Sequence, residues 1–137
     1  LLLAVPASLR AEEIVVIVHR SRESRLDVEE LARIYLKERR HWAGGETIVP
    51  VNHASGSSLR DAFSDVVLAR TPQQLERYWN RQYFLGVLPP ATLASDEAVK
   101  RFVARERRAI GYIRASALDS SVRVALRLPN GAPPRGH

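Results

Sequence analysis

The sequence predicts an α/β domain built on a mixed, mostly parallel sheet flanked by helices. Three observations predict it. Ile14-Val15-Val16-Ile17-Val18 is five β-branched residues in succession. That run is too short for a helix and too uniformly apolar for a strand with one wet face, so it reads as a central strand covered on both sides. Leu59, Ala62, Phe63, Val66 and Val67 follow the i, i+3, i+4, i+7, i+8 spacing of an amphipathic helix. Further strand-like runs at 47–51, 109–113 and 122–128 are separated by helical stretches, and parallel neighbours need crossovers of that kind.

Taken in order, the chain opens with Leu1-Leu2-Leu3-Ala4-Val5-Pro6-Ala7-Ser8-Leu9-Arg10-Ala11, an apolar run leading to a small residue before Glu12-Glu13. It resembles the end of a secretory signal, so residues 1–11 are expected to be a leader remnant and the protein periplasmic or secreted. After the first strand, Asp27 with Glu30 forms a capping-box pattern that predicts a helix over 28–38, with Val28, Leu31, Ile34 and Tyr35 on its inner face. Gly44-Gly45 leads into the strand 47–51, where Pro50 marks an edge or a point at which pairing stops. Thr71-Pro72-Gln73-Gln74 starts a third helix running to about Tyr83, with Leu75, Tyr78, Trp79 and Gln82 or Tyr83 as its inner stripe, and the aromatic stripe Tyr78, Trp79, Tyr83 and Phe84 is expected in the core. Phe84 to Pro90 is an apolar loop. Ser95-Asp96-Glu97 opens a fourth helix, with Val99, Phe102 and Val103 inward. In the strand 109–113, Gly111 permits close backbone approach, and Val122 to Leu128 alternates as a half-exposed strand. One domain over 12–128 is expected, followed by a disordered tail over 129–137.

Composition narrows the function. A chain of 137 residues, 45% hydrophobic and 26% charged, is an ordinary globular domain with room for one core. The net charge of +6 comes from nineteen Arg and two Lys, but these are spread along the chain and form no basic stripe interleaved with aromatics, which argues against nucleic acid. No cysteine is present, which excludes disulfides, thiolate zinc sites and a cysteine nucleophile. His19, His41 and His53 lack metal-ligand spacing, so no metal or cofactor is expected. No stretch is long enough to span a bilayer.

One segment carries chemistry. From Val51 to Phe63 the chain reads as a strand end, a turn of small hydroxyl residues and the first turn of a helix. The first amides of a helix lack internal acceptors and lie at the positive end of its dipole, so small residues there let an oxyanion approach. The candidate ligand-binding residues are Ser55, Gly56, Ser57, Ser58 and Arg60, with His53 as a further donor. An ordinary cap is the competing reading, with Ser58 at the N-cap and Asp61 completing a box. His53, Ser57 and Asp61 also supply the residue types of a hydrolytic triad. Nothing local orients a base on the serine, so no catalytic residue is assigned and no enzyme is expected.

The ordered set of Ile14 to Val18, Leu31-Ala32-Arg33-Ile34-Tyr35-Leu36, Trp42, Ile48-Val49-Pro50-Val51, Gly56-Ser57-Ser58-Leu59-Arg60-Asp61-Ala62-Phe63 and Ala109-Ile110-Gly111-Tyr112-Ile113 resembles the phosphate-binding proteins of bacterial ABC transporters. The resemblance covers about Ile14 to Ile113. It implies a single lobe of a type 2 periplasmic binding fold, whose ligands sit between two lobes, and a non-enzymatic, solute-binding-like function with phosphate or a similar oxyanion as the weakly bound ligand. Three departures bear on the site. Ser58 and Leu59 stand where that family has Gly and Thr, His53 stands where it often has Arg, and Lys37 replaces the usual Gly before the Trp. A lone lobe also leaves uncovered the surface its partner would face, onto which Trp79 or Tyr83 could project. The alternative is therefore a protein-interaction module of the cell envelope, or a homodimer, with vestigial anion binding.

Overall fold

The computed structural model describes residues 13–23 and 25–129. The expected leader over 1–11 and the tail beyond Pro129 lie outside the described residues. In order, the elements are β1 (Ile14–His19), α1 (Val28–Tyr35), β2 (Val49–His53), α2 (Ser58–Phe63), a π-helical turn (Ser64–Leu68), α3 (Pro72–Phe84), β3 (Ala91–Leu93), α4 (Asp96–Arg105), β4 (Ala109–Arg114), a 3-10 turn (Ala115–Ala117) and β5 (Val122–Leu128).

The five strands form one mixed sheet in the order β3-β2-β4-β1-β5. β2 runs parallel to both β3 and β4, whereas β1 pairs antiparallel with both β4 and β5. Strands β2 to β5 therefore point the same way, and β1 alone runs against them. The β-branched run of β1 is buried on both faces. Ile14, Val16 and Val18 join Leu31, Ile34 and Phe63 in one core, while Val15 and Ile17 meet Val99, Val103 and Ile113 in the other. Alternation along a strand sends successive side chains to opposite faces, so an unbroken apolar run serves two cores.

Local chemistry explains the details. Asp27 accepts from the Glu30 amide at 2.8 Å, and Glu30 accepts in return from the Asp27 amide, so the capping box opens α1. α1 stops at Tyr35, three residues short of the expected end, because Lys37 turns left-handed at φ 63°. β2 lies two residues later than expected, and Thr47 makes only an isolated bridge to His41. Pro50 pairs with Ile110 of β4 where that ladder ends, and Val51 begins the ladder to β3. A residue without an amide hydrogen sits where pairing changes sides. The alternation of β5 is broken by a register shift that leaves Ala125 without a partner in β1. The spare Ala125 carbonyl accepts from the Leu26 amide at 3.4 Å. Gly111 lies under α4, where an added Cβ would stand 2.6 Å from Val99 Cγ1.

Tyr35, Phe63 and Tyr112 form a buried aromatic group between sheet and helices, with Phe63 stacked on Tyr112 at 3.8 Å between ring centres. Both phenols are satisfied, Tyr35 donating to the Val51 carbonyl at 2.8 Å and Tyr112 to Asn52 Oδ1. Burial pushes both above the usual phenol range. Two expectations for the helices need correction. In α2 and its π-helical extension, Leu59, Phe63 and Val67 are buried but Ala62 is exposed, and Ser64 is buried in the extension. In α3, Leu75, Tyr78 and Trp79 are only half-buried, Tyr83 and Phe84 are exposed and not in the core, and no residue of the helix is buried, because only one side of α3 meets the rest of the protein.

Candidate functional site

Because β2, β3 and β4 are parallel, their carboxyl ends fall on one edge of the sheet, and the connections leaving them share it. In open α/β sheets ligands bind in crevices outside that edge. His53, Leu93 and Arg114 end the three strands, and α2 and α4 begin just beyond. The sequence-predicted site residues Ser55, Gly56, Ser57, Ser58 and Arg60 all lie here.

Gly56 takes φ +89°, a left-handed conformation that folds the turn back on itself. The Ser57 amide donates to the Ala54 carbonyl at 3.1 Å, closing the turn. Ser57, not Ser58, is the N-cap: its Oγ accepts from the Arg60 amide at 3.2 Å. Ser58 is the first helical residue, so the box expected between Ser58 and Asp61 is not formed. Ser55, Gly56 and Ser58 are exposed and Arg60 is half-buried. Arg60 Nη1 donates to the His53 carbonyl at 3.0 Å, which ties the guanidinium to the end of β2.

The imidazole of His53 is not brought to this turn. It is 4% exposed, and its Nε2 lies 2.8 Å from the Tyr112 carbonyl, to which it donates. Asp96 Oδ1 is 3.8 Å from the same nitrogen. With Ser57 occupied by its cap and His53 by Tyr112, neither is arranged as a nucleophile or as its base. Asp96 and Arg114 are the residues sequence reasoning missed. Arg114 Nη1 meets the Asp96 carboxylate at 3.2 Å, and the Arg114 amide donates to the same group at 3.2 Å, so the first residue of α4 is locked to the end of β4. The signal was the acidic start of α4 directly after a strand, and β3 was too short at three residues to be recognised.

Beside the turn, a cavity of about 730 Å³ opens between α2, its π-helical extension and the start of α3. Ser55, Gly56 and Arg60 line it on one side and Trp79 on the other, with Asp61 and Asp65 adding negative charge. Such a wall can offer a guanidinium, hydroxyls and turn amides to an oxyanion, at a cost set by the nearby carboxylates.

The same fold occurs in solved structures. Over 85% of its length the chain superposes, with a TM-score of 0.66 and 26% identity, on a protein from Clostridium perfringens described as a phosphate ABC transporter substrate-binding protein, solved with bound phosphate. An ABC-type phosphate transport receptor from Vibrio cholerae matches 85% of the chain with a TM-score of 0.70 and 20% identity. PstS from Borrelia burgdorferi matches 84% with a TM-score of 0.64 and 16% identity. This chain is similar to one lobe of a phosphate transporter's substrate-binding protein. The match spans 45%, 46% and 47% of those three chains, a little under half of each. By sequence alone, no protein-family model and no curated protein matches.

In this lobe the departures noted in the sequence have definite places. Leu59, standing where the resemblance implies Thr, is buried in the core and presents nothing to a ligand. Ser58, standing where it implies Gly, puts an exposed hydroxyl on the first helical turn. Lys37, standing where it implies Gly, is in the left-handed conformation that glycine favours. Among the described residues no helix is long and apolar enough to cross a membrane.

Proposed function

We propose that this chain is an exported, non-enzymatic, solute-binding-like protein that holds phosphate or a similar oxyanion weakly at the turn from Ser55 to Arg60. The observation that carries the proposal is the tether of Arg60 to the His53 carbonyl, which holds a half-buried guanidinium beside the exposed Ser55, Gly56 and Ser58 at the carboxyl edge of the sheet. Likeness to a substrate-binding protein solved with phosphate supports the choice of ligand. His53 contributes through its carbonyl, which aims Arg60, and the apolar leader at 1–11 supports export to the periplasm or beyond.

One lobe supplies one wall of a site, so the affinity belongs near the millimolar range, equivalent to about 4 kcal/mol. Isothermal titration with inorganic phosphate tests the proposal. The wild-type chain gives saturable heat, whereas Arg60→Ala weakens binding by about tenfold or more, the worth of one charge-assisted contact. Gly56→Val distorts the turn, because a β-branched residue does not tolerate φ +89°, and removes binding. Absence of heat at millimolar phosphate, or an unchanged Arg60→Ala isotherm, rejects the proposal.

A further inference from the structure

Among the described residues, the large apolar side chains left exposed gather at the far end of α3. Tyr83 is 65% exposed, Phe84 86%, Leu85 73% and Leu88 61%. Side chains left that open stand out from the surface and do not line a groove. They also stand among cations. From Arg77 to Ser95 the chain carries no acidic residue. Arg77, Arg81 and Phe84 follow i, i+4, i+7 spacing and so share one face of the helix. Arg70, Arg77 and Arg81 border a common recess, and Lys37 and Arg40 border the next one, across Tyr78. Among the described residues, the ion pairs of the molecule involve none of these five cations. Among the described residues, the carboxylate bordering these two recesses is Glu38, beside Lys37 and Arg40; Glu76 lines the cavity next to the candidate anion site. Lys37 is pushed below the usual ammonium range by burial and by Arg40.

We propose that Tyr83, Phe84, Leu85 and Leu88, with Arg77, Arg81, Lys37 and Arg40 on the same side of the molecule, form a docking surface for an anionic lipid membrane. A protruding tip of two aromatic rings and two leucines suits the boundary between headgroups and acyl chains, where Tyr and Phe are at home and basic residues meet anionic headgroups. Charge argues against a second copy of the chain: a two-fold interface centred on the tip would set unpaired arginines against arginines. The apolar tip itself is separate from the candidate anion site. Thr71 and Pro72, at the start of α3, share a cavity with Ser55 and Gly56, whereas the tip lies beyond the other end of a 13-residue helix, about 20 Å away. The docking surface does not depend on phosphate binding.

Co-sedimentation of the full chain with vesicles tests the proposal. Vesicles of phosphatidylcholine containing phosphatidylglycerol are compared with vesicles of phosphatidylcholine alone. The chain pellets with the anionic vesicles, leaves them as salt is raised, and stays in solution with the neutral ones. Phe84→Ser with Leu85→Ser lowers the partition by about tenfold or more, since each removes an exposed apolar side chain from the contact. Arg77→Gln and Arg81→Gln each lower it about fivefold, the worth of one basic residue at an anionic surface. Circular dichroism shows these surface variants folded. Equal pelleting of the Phe84→Ser, Leu85→Ser variant overturns the proposal and assigns any binding to another segment. No pelleting with anionic vesicles also overturns it. Sedimentation velocity showing a dimer that this variant abolishes, without vesicle binding, overturns it in favour of a protein contact.

Discussion

β1 and α3 both carry apolar side chains that a core could use, and they end up in opposite environments. β1 has strands on either side and helices on both faces, and Ile14 to Val18 are at most 4% exposed. α3 is longer, yet none of its residues is buried. It is held to the rest by tethers such as the Tyr78 hydroxyl, which donates to the Leu36 carbonyl at 2.7 Å. The comparison teaches that stability resides in the sheet and the helices packed on it, while α3 is free to carry surface chemistry. The largest effect should therefore come from an aromatic residue on the sheet side. Phe63→Ala, which empties a fully buried site between Tyr35 and Tyr112, should cost about 3–5 kcal/mol by urea denaturation. Phe84→Ala should stay within about 0.5 kcal/mol of wild type. Similar losses for the two would break the comparison.

A smaller effect probes the same core from the backbone. At Gly111 an added Cβ would meet Val99 Cγ1 at 2.6 Å, Val51 Cγ2 at 3.2 Å and Val103 Cγ2 at 3.4 Å. These are short β-branched side chains on buried elements, with no flexible end to yield. Gly111→Ala should destabilise by about 1–3 kcal/mol. In a double-mutant cycle with Val99→Ala, the two changes should couple by about 1 kcal/mol or more, because the second removes the methyl group that the first strikes. Additive losses would mean that α4 can shift away from β4.

The fold was legible where one local rule decided the outcome. The β-branched run of β1, the capping boxes at Asp27 and Thr71, and the close approach at Gly111 each follow from residue type alone. The errors came where tertiary partners decide. Period-two alternation cannot reveal the shift that strands Ala125, because both faces of β5 still find apolar partners. Helical periodicity in α3 is real, but periodicity marks a face that could be covered and not one that is. At the candidate site, Ser55, Gly56, Ser57, Ser58 and Arg60 were readable as a turn before a helix. His53 was misjudged because β2 extends two residues further than Pro50 suggested, which carries its ring into the sheet. The acidic start of α4 at Asp96 was readable, but its pairing with Arg114 was not, because the two meet only once α4 follows β3 to the same edge.

The smallest predicted effect has the opposite sign and lies where α1 gives way to the loop facing α3. Lys37 holds φ 63°, a conformation that costs a residue with a Cβ about 1–2 kcal/mol. Its ammonium carries a second penalty, since burial and the neighbouring Arg40 lower its pKa below the ordinary ammonium value. A folded-state pKa below the unfolded value means the unfolded chain holds the proton more tightly. That penalty is therefore present in full below the lowered pKa and falls away as pH rises toward 10.5. Lys37→Gly removes both penalties but frees the unfolded chain, which takes back about 0.5–1 kcal/mol. The net gain at neutral pH should be about 0.5–1 kcal/mol. Lys37→Gln separates the two, because it removes the charge and keeps the Cβ. If thermal unfolding shows Gln gaining as much as Gly, the strain relieved at this turn only equals the roughly 0.5–1 kcal/mol that glycine loses in the unfolded chain. If Gly gains more, the excess plus that loss measures the left-handed conformation itself.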